Sequence, residues 1–164
     1  VLTTALMHNV SIEHVGSTAI PHLAAKPIID IDIVYAENAA FAEIKIRLEK
    51  IGYYHAGNQG IADREVFKRD KTARKHNVLD FVVHHLYACP ANSEELQRHI
   101  LFRDYLIENE EARVQYQNLK YEIAAEAKHD RKKYAQLKEV KATAFVNRIV
   151  AKAKREKTTN AAQW

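Results

Sequence analysis

Apolar and polar residues alternate along Val10-Ser11-Ile12-Glu13-His14-Val15, which predicts a short strand that closes at Gly16-Ser17-Thr18. A brief turn or helix follows from Pro21 to Ala25. After Pro27 the β-branched run Ile28-Ile29-Asp30-Ile31-Asp32-Ile33-Val34-Tyr35 has the length and composition of a second strand. From Glu37 to Ile51 the period changes to that of a helix, with Phe41, Ile44 and Leu48 on one stripe and Gly52 as its stop. Leu2 to Met7 reads as the tail of a helix.

Residues 53–77 carry a weaker pattern: Gly57 and Gly60 mark a turn, Arg64 to Arg69 an edge strand, and Asp70 to Lys75 a charged loop. Val78 to Ala88 is strand-like and ends at Cys89-Pro90. Beyond Ser93 glycine and proline vanish, and helices are predicted over Ser93–Asn109, Glu111–Lys128 and Asp130 to Arg155, with Ser93 as an N-cap followed by acidic residues. The expectation is an α/β (α+β) chain. A small mixed sheet over residues 1–92 and a helical cover over 93–157 form one domain, and a flexible tail occupies 158–164.

Composition narrows the class. With 164 residues and 47% apolar content the chain can bury a real core. A single cysteine, Cys89, fits a reducing, cytoplasmic compartment. No apolar run approaches the roughly 18 residues of a membrane span. The first residue is Val1 rather than Met, so N-terminal residues are expected to be missing. Between Lys128 and Lys157 eleven Lys/Arg face only Asp130, Glu139 and Glu156. That basic excess falls opposite an apolar stripe of Leu137, Val140, Ala144, Phe145 and Ile149, without interleaved aromatics, so nucleic acid is possible but not favoured as a partner.

The chemistry concentrates on Gly16 to Asp32. A strand's period of two puts the carboxylates of Asp30 and Asp32 on one face, about 7 Å apart. Like charges so placed repel and resist desolvation, an arrangement expected where a divalent cation sits between them. Mg²⁺ (or Mn²⁺) suits it, because magnesium takes one or two carboxylates and leaves room for water and substrate phosphate. Solvation, or pairing with Lys26 or an arginine, would serve equally. Gly16, Ser17 and Thr18 can offer backbone amides and hydroxyls to a phosphate at a helix start. Strand, Gly-Ser, short helix and a strand bearing Asp-apolar-Asp is the order shared by nucleotidyltransferases of the DNA polymerase β type.

The longer string from Ile12 to Pro21, with Leu23 to Ile31, resembles the GrpB family, bacterial proteins placed in the nucleotidyltransferase superfamily. The likeness extends to Arg64, Phe67, His84-His85-Leu86-Tyr87, Leu96 through Leu106, and Tyr134 with Lys138. Departures are His22 where the family usually has glycine, Tyr87 in place of the second histidine of His-Leu-His, and a longer approach over Asn77–Phe81. The resemblance implies transfer of a nucleotidyl group from a nucleoside triphosphate to an unidentified acceptor. It also leaves open a non-catalytic nucleotide- or cofactor-binding module linked to coenzyme A metabolism, since similar domains occur fused to dephospho-CoA kinase.

A working transferase of this type needs a third group beside the acidic pair. Asp80 or His85, both expected on the strand after Val78, are the alternatives. Lys26, Arg64, Arg103, Lys120 and Lys138 are candidate phosphate ligands, the arginines as forks and the lysines as point charges.

Overall fold

The computed structural model describes residues 1–6, 10–36 and 38–161, and divides the chain into two compact units: 1–19 with 25–99, and 20–24 with 100–164. The expected change of character at Ser93 precedes this division, between His99 and Ile100, by about two turns of helix. Met7 and Glu37, which the sequence places at helix ends, lie outside the described residues.

The first unit is built on five strands: β1 (Val10–Val15), β2 (Ile29–Tyr35), β3 (Tyr53–His55), β4 (Glu65–Arg69) and β5 (His84–Pro90), in the order β1-β2-β5-β4-β3. Only β2 and β5 run parallel; the other pairs are antiparallel. Alternation separates the two faces. Ile33, Tyr35, Phe67, Leu86 and Ala88 point into a core closed by Leu2 of α1 (Leu2–Ala5) and by Ile44 and Leu48 of α2 (Asn38–Lys50). Burying this face is the main stabilising term for the unit. The opposite face carries Glu13, Asp30, Asp32, His85 and Tyr87, because Glu13 pairs with Asp32, Asp30 with His85 and Asp32 with Tyr87 in the ladders.

Three expectations are corrected here. Arg64–Arg69 is not an edge: β4 lies between β5 and β3, and the short β3, which the pattern left uncalled, is the edge. The strand expected from Val78 begins only at His84. Val78, Phe81 and Val83 are apolar but exposed, and 78–83 forms turns pinned by Asp80. Asp80 binds Arg69, whose guanidinium also donates to the carbonyls of Ile51 and Gly52 and lies over the Tyr53 ring. That anchor holds the segment off the sheet. Finally, the tail expected to fray from Thr158 stays helical through Ala161.

In the second unit the helices are α3 (Glu94–Glu108, from Ile100 onward), α4 (Glu110–Ala127), α5 (Arg131–Leu137) and α6 (Thr143–Ala161), with a π turn over Lys138–Ala142 between the last two. Asn109 and Asp130 cap α4 and α5 by accepting backbone N–H groups. The unit's core gathers Ile20, Leu23, Leu106, Ile123 and Ile149 around Phe102, Tyr116 and Phe145, with Tyr116 and Phe145 stacked at 5.3 Å. Ala24 is held by Gln117 and by the Lys120 ammonium. Burial, reinforced by the charge of Lys138, pulls the Lys120 pKa down to about 8. Among the described residues no helix is long and apolar enough to cross a membrane.

Candidate functional site

Gly16 brings the turn and the acidic pair together. Its φ is +73°, and a Cβ built there would lie 2.3 Å from Asp30 Oδ2. Only glycine accommodates both the left-handed backbone and the carboxylate pressed against it. The following 3-10 turn, Ser17–Ala19, is fastened by Thr18, whose hydroxyl donates to the Ile28 carbonyl and lies 3.0 Å from His14 Nε2. Thr18 therefore ties β1 to the approach of β2, a structural task the sequence reading had not assigned to it.

The two aspartates, neighbours on one face, sit in different surroundings. Asp30 Oδ1 lies 2.8 Å from His85 Nδ1, with side-chain exposures of 31% and 55%. Asp32 is fully buried; its Oδ2 lies 2.8 Å from His99 Nδ1, while His99 Nε2 lies 3.2 Å from Glu95. Burial lowers the His99 pKa, but the hydrogen bonds to Asp32 and Glu95 and their charges outweigh it and raise the pKa to about 9. His99 is thus an imidazolium at neutral pH, clamped between two carboxylates, and the same contact holds Glu95 below its ordinary range. Among the described residues Asp32 Oδ1 has no hydrogen-bond partner.

His99 and Glu95 are the residues around the acidic pair that sequence reasoning missed. Their i, i+4 spacing at the start of a helix was the available signal, but nothing in it pointed to a strand far upstream. Cys89, on the same face and buried, has its thiol pushed up to about 12 mainly by burial. It is therefore an inert core group. His84 points to the other face, where Nδ1 meets the Val82 carbonyl and Nε2 the Tyr53 hydroxyl.

Of the expected ligands, Asp30, Asp32, His85 and Gly16 come together. Asp80 does not. It lies outside β5, and hydrogen bonds from Arg69 and the His76 N–H hold its pKa down to about 2. Lys26 is exposed in the loop before β2. Arg64 lies on the polar face with its guanidinium 4.7 Å over the Tyr87 ring. Arg103 and Lys138 belong to the helical unit, where Arg103 pairs with Asp104.

A resident metal centre does not fit these side chains. Among the described residues no three acidic, histidine or cysteine groups are placed to hold an ion, and Asp32 is closed to the waters magnesium keeps. A magnesium ion that arrives on substrate phosphates needs only one protein carboxylate. Asp30, partly exposed beside the Gly16 turn, meets that requirement.

Residues 1–152 match the family model described as "GrpB protein". The chain is 35% identical over 130 residues to "UPF0157 protein YqkA" of Bacillus subtilis (strain 168), covering 79% of this chain and 36% of that one. It is 35% identical over 125 residues to "Glutamate-rich protein GrpB" of Alkalihalophilus pseudofirmus, covering 75% of this chain and 69% of that one. The chain thus spans only about a third of YqkA's length. Among solved structures it matches "conserved protein GrpB from Enterococcus faecalis" at 31% identity and a TM-score of 0.72, over 95% of this chain and 87% of that one.

Proposed function

The chain belongs to the GrpB family, and from that premise we propose that it binds a nucleoside triphosphate as its magnesium complex on the polar sheet face and transfers the nucleotidyl group to an acceptor. The observation that carries this reading is the contact between Asp30 and Gly16. It sets a reachable carboxylate beside a turn suited to phosphate, a juxtaposition that would repel a phosphate unless a cation lies between them. A magnesium ion carried in on the triphosphate and held by Asp30 would supply that charge neutralisation.

This chain's own residues have distinct tasks in the proposal. Gly16 and Ser17 receive phosphate oxygens through backbone amides. Asp30 meets the cation, and His85 stands where a third acid is usual. In the transfer, the acceptor's nucleophilic oxygen or nitrogen bonds to the α-phosphorus as the bond to pyrophosphate breaks, and His85 takes the acceptor's proton. Asp32 acts behind Asp30: clamped by His99, it holds β2 and the start of α3 together and does not touch substrate.

A second reading, a nucleotide- or coenzyme A-type binding module without turnover, is favoured by one observation, the sealing of Asp32 that leaves only one member of the Asp30–Asp32 pair reachable. Calorimetry with ATP in the presence of magnesium, paired with an assay for released pyrophosphate across candidate acceptors, separates the two. Binding with turnover supports the transferase, and binding without turnover to any acceptor supports the module. No binding of ATP or a coenzyme A-type ligand would defeat both.

A further inference from the structure

The ladder between β4 and β5 is registered only from Glu65↔Ala88 to Phe67↔Leu86, and beyond that point a cleft of about 370 Å³ opens. That volume is at the small end of small-molecule sites, roughly 300–1,000 Å³. Gln59, Arg64, Lys68, His85 and Tyr87 line it. Val66 pairs with Tyr87, so the alternation of β4 sets Arg64 and Lys68 on the same face as Tyr87 and His85.

The charge in this cleft is unbalanced. The Arg64 guanidinium sits 4.7 Å from the centre of the Tyr87 ring. Arg64 acts on the Glu95 carboxylate through its charge, as the least of the influences that hold Glu95 below its ordinary range, and among the described residues its buried Nε has no hydrogen-bond acceptor. By contrast Arg69, which also borders the cleft, is engaged by Asp80 and by the carbonyls of Ile51 and Gly52. A buried donor without an acceptor is unfavourable, and a guanidinium fork matches a carboxylate or phosphate edge. The cation–π contact with the phenol restrains the guanidinium at this place on the sheet. The cleft adjoins the phosphate turn through side chains: His85 lines it, bonds to Asp30, and Asp30 packs on Gly16.

We propose that this cleft is the acceptor subsite, taking a small molecule by its oxyanion, a carboxylate or a phosphate, with Arg64 as the anion ligand, Tyr87 as its platform and Lys68 at the mouth. The word acceptor rests on the transferase reading above; the oxyanion site stands on its own geometry. It places the acceptor's anchoring anion on the far side of His85 from the nucleotide's phosphates, so that the acceptor's nucleophile is presented to His85.

The test is an amide-shift titration of the whole chain with succinate and, separately, with inorganic phosphate, no nucleotide or magnesium being present. Saturable shifts at residues 64–68 and 85–87 are expected with at least one of the two probes, and the tighter probe identifies the anion. Arg64→Gln should weaken that probe at least tenfold, and Arg64→Lys, which keeps the charge but loses the fork, by less. Thermal melts of both variants report folding, and the wild-type titration locates the site whatever the variants do. Shifts absent with both probes, confined to Gly16–Thr18, or equal in affinity for Arg64→Gln would overturn the proposal. Gly16→Ala separates the two readings: it should abolish binding of magnesium ATP while leaving oxyanion shifts in the cleft intact. Cleft binding in a wild-type chain that binds no ATP would sink the transferase reading and the acceptor assignment, leaving a bare oxyanion site.

Discussion

Asp30 and Asp32 are separated by one residue and face the same way, yet the protein treats them oppositely. Asp32, with no exposed surface, is neutralised by an imidazolium that is itself gripped by Glu95. Asp30, partly open, pairs with a half-exposed histidine and presses against a glycine turn. The depth of the partner decides the role. A carboxylate closed to water gives architecture, while its open neighbour can meet a ligand.

The largest expected break in this comparison comes from the inner histidine. His99→Ala would strand the Asp32 carboxylate in a site without water, and urea denaturation should show a loss of about 3–5 kcal/mol. His85→Ala, at the open pair, should cost under about 1 kcal/mol by the same measurement. Equal losses would erase the distinction between the two pairs.

The inner site also sets a pH dependence. Because the folded pKa of His99 is raised from 6.5 to about 9, its contribution is full below about 6.5 and fades as pH climbs through 9. The loss should approach about 3 kcal/mol by pH 10, at 1.36 kcal/mol per pKa unit. Denaturant midpoints of wild type and His99→Gln between pH 6 and 10 check this: the stability difference between the two should shrink by about that amount as pH rises, while the opposite gain from Lys120, whose folded pKa is pulled down to about 8, is common to both.

A smaller effect tests the contact that joins turn and carboxylate. Gly16→Ala combines a left-handed backbone with a clash against Asp30 Oδ2 and should cost about 2 kcal/mol. Removing the obstructing group in Gly16→Ala with Asp30→Ala should restore part of that. A double-mutant cycle with no coupling would show that the two do not touch.

Much of the first unit was legible because its physics is local. Period-two alternation marks β1 and β2, and a helical stripe marks α2, whose Ile44 and Leu48 are buried as that stripe requires. The β5 start was misread because Val78, Phe81 and Val83 have strand-like side chains, whereas an ion pair across eleven residues, Arg69 with Asp80, decides their backbone. The acidic pair and the glycine turn could be read from spacing. The inner clamp could not, because 67 residues separate Asp32 from His99 and no local pattern records which carboxylate a helical histidine will meet. Arg64 stood out only as one basic residue among many. Its distinction, a buried and unmatched donor, arises from packing.

The central claim is that Asp30, and not its buried neighbour, is the carboxylate that meets a magnesium-bound nucleotide. Calorimetric titration of ATP into wild type and Asp30→Asn, each with magnesium and with EDTA, tests it most directly. The account predicts binding by wild type only with magnesium, and at least a tenfold loss in Asp30→Asn while its urea midpoint moves little. Unchanged affinity in Asp30→Asn, or wild-type binding that persists in EDTA, would contradict it.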